Sequence, residues 1–254
     1  MRRRTRLMAP EIERPPQPRL KRIGVLGGSS DQATAEYYRR LNQAVNAELG
    51  GWNTAELLIN SMNFALAEWC VRNERWDEAA RYLAERAAAL ESAGAELLIC
   101  VSNTLHRVAD AITAAVAIPF IHIVDPTAEA IRAAGLARVG LLGTKPVMAT
   151  DFMQRRYRER FGIEVLVPEA DEQELIDRII FDELCRGRFT ELAKSTYLGV
   201  IDRLAAAGAG GVILGCTEIP LLIKQTERPR LPLFDTTALH VAAAARMALA
   251  GAGD

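Results

Sequence analysis

Metal-ligand spacing is missing from this chain: its four cysteines (Cys70, Cys100, Cys185, Cys216) form no C-x-x-C pair, and its three histidines (His106, His122, His240) lie far apart in sequence. No zinc pattern can be written with them, so no metal site is expected. Four thiols in 254 residues are also too few for a disulfide framework, which points to reduced cysteines and a cytoplasmic setting. Charge of one sign is scarce as well. With 31 basic and 32 acidic residues the net charge is -1, and no basic block follows residues 1–6, so a nucleic-acid partner is not expected. No apolar run reaches the roughly 18 to 20 residues of a membrane span, because a charged residue interrupts each one. Prolines and charges in residues 10–20 break the apolar core that an export signal needs. Residues 1–20 therefore read as a disordered tail before a first strand at Lys21. The turn Gly27-Gly28-Ser29-Ser30 lacks both G-x-G-x-x-G and the Walker lysine, which argues against a nucleotide and for a small carboxylate.

What is present is an ordinary globular composition, half apolar and a quarter charged, arranged as a repeat. Arg22-Ile-Gly-Val-Leu-Gly-Gly28 resembles Arg138-Val-Gly-Leu-Leu-Gly-Thr144, and each reads as a buried strand entering a turn. Without a gap, Gly94-Ala-Glu-Leu-Leu-Ile-Cys-Val-Ser-Asn-Thr104 matches Gly208-Ala-Gly-Gly-Val-Ile-Leu-Gly-Cys-Thr-Glu218, which sets Ser102 opposite Cys216. A third pair follows in the same order: strands at 118–123 and 231–235, each running into an Ala-rich helix, 127–134 and 238–249. Amphipathic stretches at 77–92 and 190–207 alternate with these strands, and such alternation predicts parallel sheets covered by helices. The fold class is therefore α/β with two pseudo-symmetric lobes, residues 21–134 and 135–254, and the active site in the cleft between them. The linker falls near 133–137, and the last helix is expected to cross back onto the first lobe. Ligands of open α/β sheets bind at the carboxyl ends of the strands, where the repeat puts Ser29, Ser102, Thr144 and Cys216.

Cys216 follows an apolar strand and a glycine, where exposed backbone amides can hold a carboxylate or favour a thiolate. It is the leading catalytic candidate. Cys100 aligns with Leu214 inside the strand, and Cys70 and Cys185 fall in helical stretches, so these three are assigned to packing. Ser102 is a much weaker acid than a thiol and cannot simply replace a thiolate base. Asn103 and Thr104 beside it are suited to a substrate's amino and carboxylate groups. His106 is a candidate supporting residue next to the site.

These segments resemble the aspartate/glutamate racemase family, in particular its broad-specificity branch, across residues 21–249. The resemblance rests on Gly27 to Ser30 with Tyr37-Tyr38, on Cys100 to His106, on His122 to Ile131, and on Leu141 to Thr144. Pro168 to Glu172 with Ile179-Ile-Phe181, Gly215 to Ile219 and Phe234 to Thr236 complete it. It implies an isomerase that needs neither pyridoxal phosphate nor metal and is commonly a homodimer. It also implies two acid/base groups on opposite faces of the α-carbon, because inversion needs a base on one side and an acid on the other. Cys216 and Ser102 are then catalytic, with Ser29, Ser30, Arg72, Asn103, Thr104, Thr144, Thr217 and Glu218 binding substrate. Donors from Asn103, Thr104, Thr144 and Thr217 are expected on the substrate carboxylate, where they offset developing charge. Arg72 is expected to grip the distal end.

Two departures matter. Ser102 stands where most members carry a first cysteine, so proton exchange dominated by Cys216, on the L form, is expected. Leu175 stands where members acting on acidic substrates often have lysine, which points to a substrate less acidic than aspartate. A single-thiol decarboxylase of the same superfamily and a weakly active amino-acid-binding relative are the alternatives.

Overall fold

The computed structural model describes residues 19–250. The expected tail lies outside them apart from Arg19 and Leu20, and Leu20 is buried against Val45 and Ala245.

Strand and helix alternate throughout. The first half runs β1 (Ile23–Gly27), α1 (Asp31–Leu49), β2 (Leu57–Ser61), α2 (Phe64–Arg72), α3 (Trp76–Ser92), β3 (Leu97–Cys100), α4 (Ala109–Ala114) and α5 (Val124–Ala133). The second runs β4 (Arg138–Gly143), α6 (Lys145–Ala149), α7 (Phe152–Phe161), β5 (Glu164–Leu166), α8 (Ala170–Asp182), α9 (Glu191–Ala206), β6 (Val212–Gly215), α10 (Ile219–Leu222), β7 (Leu233–Asp235) and α11 (Thr236–Leu249). One sheet is ordered β2-β1-β3 and the other β5-β4-β6-β7, all parallel. Strands buried on both faces read as continuous apolar runs, and β1, β3 and β6 are buried at every position.

The repeat reaches backbone detail. Gly94 and Gly208, at matching positions before β3 and β6, have φ of 96° and 99°. Both turns require glycine for conformation, since a positive φ strains any residue with a Cβ.

The symmetry breaks at the third pair. Leu233–Asp235 forms β7, whereas the strand expected at 118–123 shrinks to one bridge, Leu98 to Phe120. Both copies carry the proline, but here the chain turns at His122, whose Nδ1 accepts the Val124 N–H as α5 begins. That helix starts three residues earlier than its Ala-rich pattern suggests.

Helix α11 packs mainly on α1 of the first half: Val241, Ala244 and Ala248 share a core with Ile23, Tyr37 and Leu41. Alanines at these positions let the helix approach α1 closely. Beneath the second sheet, α8 and α9 bury Ile176, Tyr197, Val200 and Ile201 against Val212 and Leu214.

Candidate active site

The loops that leave β1, β3, β4 and β6 meet in one pocket, lined among others by Ser29, Ser102, Thr144 and Cys216. A concave site with an apolar wall and a few convergent polar groups suits a small molecule.

Glu218 organises one side. It is buried, and its carboxylate accepts Ser30 Oγ–H at 2.7 Å, Thr217 Oγ1–H at 2.6 Å and the Cys216 thiol at 3.1 Å. Among the described residues no cation lies within ion-pair distance of it. A buried carboxylate with three neutral donors and no cation is an acceptor for a positively charged ligand. Burial, and after it the Glu218 charge, push the Cys216 thiol well above its ordinary value. The exposed, thiolate-favouring turn expected for Cys216 is therefore corrected: its thiol is buried and held protonated, because burial, and after it the carboxylate two residues on, outweigh the amides of the turn.

On the other side, Ser102 Oγ accepts the Leu105 N–H at 3.2 Å, which leaves its own O–H for the pocket. Asn103 Nδ2 donates to Thr236 Oγ1 at 3.1 Å, and Thr236 in turn donates to the Leu214 carbonyl at 3.0 Å. With its one hydrogen committed to Leu214, Thr236 can only accept from Asn103, which fixes the orientation of the amide. Asn103 Oδ1 is left buried and unpartnered in the pocket lining. Asn103 thus offers an acceptor, while the second hydrogen of its Nδ2 stays free to donate. The Thr217 hydroxyl, donating to Glu218, has no hydrogen left for a carboxylate. Thr104 Oγ1 and Thr144 Oγ1 meet at 2.8 Å across the two halves; only one hydrogen lies between them, so the other remains for a ligand.

Three other positions differ from expectation. Arg72 lies outside the pocket, its Nη1 2.8 Å from Asp177 Oδ2, its Nε 3.3 Å from Glu68 Oε1, and its guanidinium 4.2 Å from the Phe181 ring centre. Ser30 touches the site only through Glu218 while its Oγ caps α1 by accepting the Ala33 N–H. Ser29 Oγ donates to the Val101 carbonyl at 3.0 Å and holds the β1 and β3 loops together.

Cys185 was missed. A short 3₁₀ turn, Leu184–Arg186, follows α8 and brings Cys185 into the pocket wall, where burial and then Glu218 raise its thiol. Nothing local marks the end of α8 at Asp182, so the cysteine reads as helical. Cys70 and Cys100 are buried in the core, the Cys100 thiol pushed up to about 12 by burial.

His106 backs the Ser102 loop. Its Nε2 accepts the Ile123 N–H at 3.1 Å, so the ring hydrogen sits on Nδ1 and donates to the Ser102 carbonyl at 2.6 Å. Burial holds this ring neutral, its pKa down to about 3.

Two similar α/β halves bring their strand-end loops, with Cys216 on one and Ser102 on the other, to one small-molecule pocket. Residues 23–244 match the Asp/Glu/hydantoin racemase family, and the chain belongs to it, an isomerase of the racemase kind. It is similar to the crystal structure of a candidate Asp/Glu racemase from Yersinia pestis, 42% identical with a TM-score of 0.84, covering 91% of this chain and 100% of that one. An aspartate racemase homologue from Pyrococcus horikoshii OT3 is 36% identical with a TM-score of 0.78, covering 90% and 99%. Glutamate racemase from Persephonella marina is 28% identical over 168 residues, 63% of this chain and 62% of that relative, so the match spans less than two thirds of its length.

Proposed function

We propose that the enzyme moves the α-proton of a free amino acid, with Cys216 as the main acid/base group and Ser102 as its weaker partner on the opposite face. The observation that carries this reading is that equivalent ends of two repeated strands, β3 and β6, present a hydroxyl and a thiol to one pocket.

The surrounding groups support an amino acid rather than another acid. A substrate ammonium answers both the uncompensated charge of Glu218 and the unpartnered Oδ1 of Asn103. The Thr104 and Thr144 pair, with Ser102, supplies O–H donors for the α-carboxylate. Ammonium binding also activates the thiol. Once a cation stands beside Glu218, the carboxylate's share of the rise in the Cys216 thiol is offset, so substrate favours release of the thiol proton to bulk water and leaves a thiolate beside the α-carbon. The thiolate then takes the α-hydrogen, forming S–H and a carbanion, and either returns a proton to the same face or lets Ser102 donate to the other. Donation by Ser102 leaves an alkoxide, which is costly, so exchange on the Cys216 face, with the L enantiomer, dominates. We take the working enzyme to be a cytoplasmic homodimer, as the resemblance implies.

Proton NMR in deuterated water, following loss of the α-proton signal from each enantiomer of several amino acids, tests the reading. Exchange confined to one enantiomer is the expected result; no exchange with any amino acid overturns it.

A further inference from the structure

We propose that the substrates are amino acids with a neutral, apolar side chain, and that Arg72 is a clamp between the two halves, not a ligand for a second carboxylate. This rests on the racemase reading above and names its substrate class.

Beyond the reacting end, the pocket wall is Phe64, Ala67, Val71, Ile180 and Phe181, residues of α2 and α8. Its charged lining residues are Glu68 and Glu218, and no lysine, arginine or histidine lines it among the described residues. Glu218 faces the ammonium. A distal carboxylate would therefore enter an apolar wall and meet Glu68, whose partner Arg72 is not among the residues lining the pocket. An aliphatic or thioether side chain would instead exchange water for contact with Phe64, Val71 and Phe181.

Arg72 lies outside the lining and is held by Asp177 and Glu68. Its guanidinium stacks on Phe181, which lines both the pocket and the outer hollow that contains Arg72. Asp177 is buried, its side chain 5% exposed; one oxygen takes the Lys145 N–H at 2.8 Å, and the other depends on Arg72. Turning Arg72 inward would strand that buried charge. Because Arg72 ends α2 and Asp177 lies on α8, the pair ties the first half to the second at the rim of the pocket.

The experiment compares α-proton exchange of L-leucine and L-methionine with that of L-aspartate and L-glutamate on the intact enzyme. The expected kcat/KM favours the neutral pair by about 10- to 100-fold, the usual effect of leaving a charged group without its partner. Faster exchange of the acidic pair overturns this inference and leaves the racemase reading standing, whereas no exchange of any of the four overturns both. In a second arm, Arg72→Met is expected to slow all four while their ratios stay within about twofold. A selective loss on glutamate would show that Arg72 binds substrate and would overturn its role as a clamp.

Discussion

Ser102 and Cys216 occupy equivalent strand ends, yet their surroundings have diverged in opposite directions. The Cys216 loop is anionic, with Glu218 gathering three donors around one carboxylate. The Ser102 loop is neutral and is braced from behind by His106, His122 and His240, the only histidines in the chain. His240 Nε2–H donates to the Ile121 carbonyl at 2.8 Å, and its Nδ1 accepts the Tyr37 hydroxyl at 2.9 Å. The repeat sets the two groups at matching strand ends, but one stands beside a buried carboxylate and the other before a neutral ring. The difference teaches that matched geometry need not mean matched chemistry, since only the thiol has a charge beside it to bias its protonation.

Making both sides hydroxyls breaks the comparison most severely. Cys216→Ser is expected to lower α-proton exchange by about a thousandfold or more, because a serine hydroxyl is not ionised by a neighbouring ammonium. Retained exchange, followed by NMR in deuterated water, would remove Cys216 from the mechanism. Making both sides thiols is the milder converse. Ser102→Cys is expected to raise two-way racemisation by about 10- to 100-fold, measured as the appearance of the opposite enantiomer, since the second thiol can donate without forming an alkoxide. No gain would mean that something other than the missing thiol limits the second face.

Removing the charge while keeping both reacting groups isolates what distinguishes the loops. In Glu218→Gln the Coulombic part of the rise in the Cys216 thiol disappears, so alkylation by iodoacetamide without substrate should switch on at a lower pH than in the wild type. Burial, the larger cause, remains, so the profile should move only part of the way toward an ordinary thiol. An unmoved alkylation profile would show that Glu218 does not govern the thiol.

Much of this was legible in the chain because the duplication left ungapped matches: the strands, the two glycine turns and the pairing of Ser102 with Cys216 all follow from aligning Gly94 with Gly208. What was not legible depends on partners far away in sequence. The Arg72 contact with Asp177 spans 105 residues, and the Asn103 contact with Thr236 spans 133. The resemblance makes Arg72 a substrate ligand, and residue type makes Asn103 a partner for amino and carboxylate groups alike; only the fold shows that the first already has a partner and that a hydroxyl sets the amide of the second. Cys185 was hidden for a related reason, since the 3₁₀ turn that swings it into the pocket carries no proline or cap signal before Gly187.

The smallest effect on chemistry, though measurable as stability, comes from acid on the histidine brace. Burial holds His106 neutral down to about 3 and His240 down to about 4, and lowers His122 further, whereas each ring titrates near 6.5 once the chain unfolds. Below pH 6.5 the unfolded chain thus binds more protons than the native one, so stability that is fully present above that pH is lost as pH falls toward 4. The loss is roughly 1 kcal/mol per histidine for each pH unit in this window. Urea midpoints measured from pH 7 to pH 5 should fall accordingly, and amide exchange should rise first around Ser102, Ile121 and Ile123, whose backbone groups the rings hold. Loss that begins instead around Cys216 would mean that the neutral loop is not the acid-sensitive half.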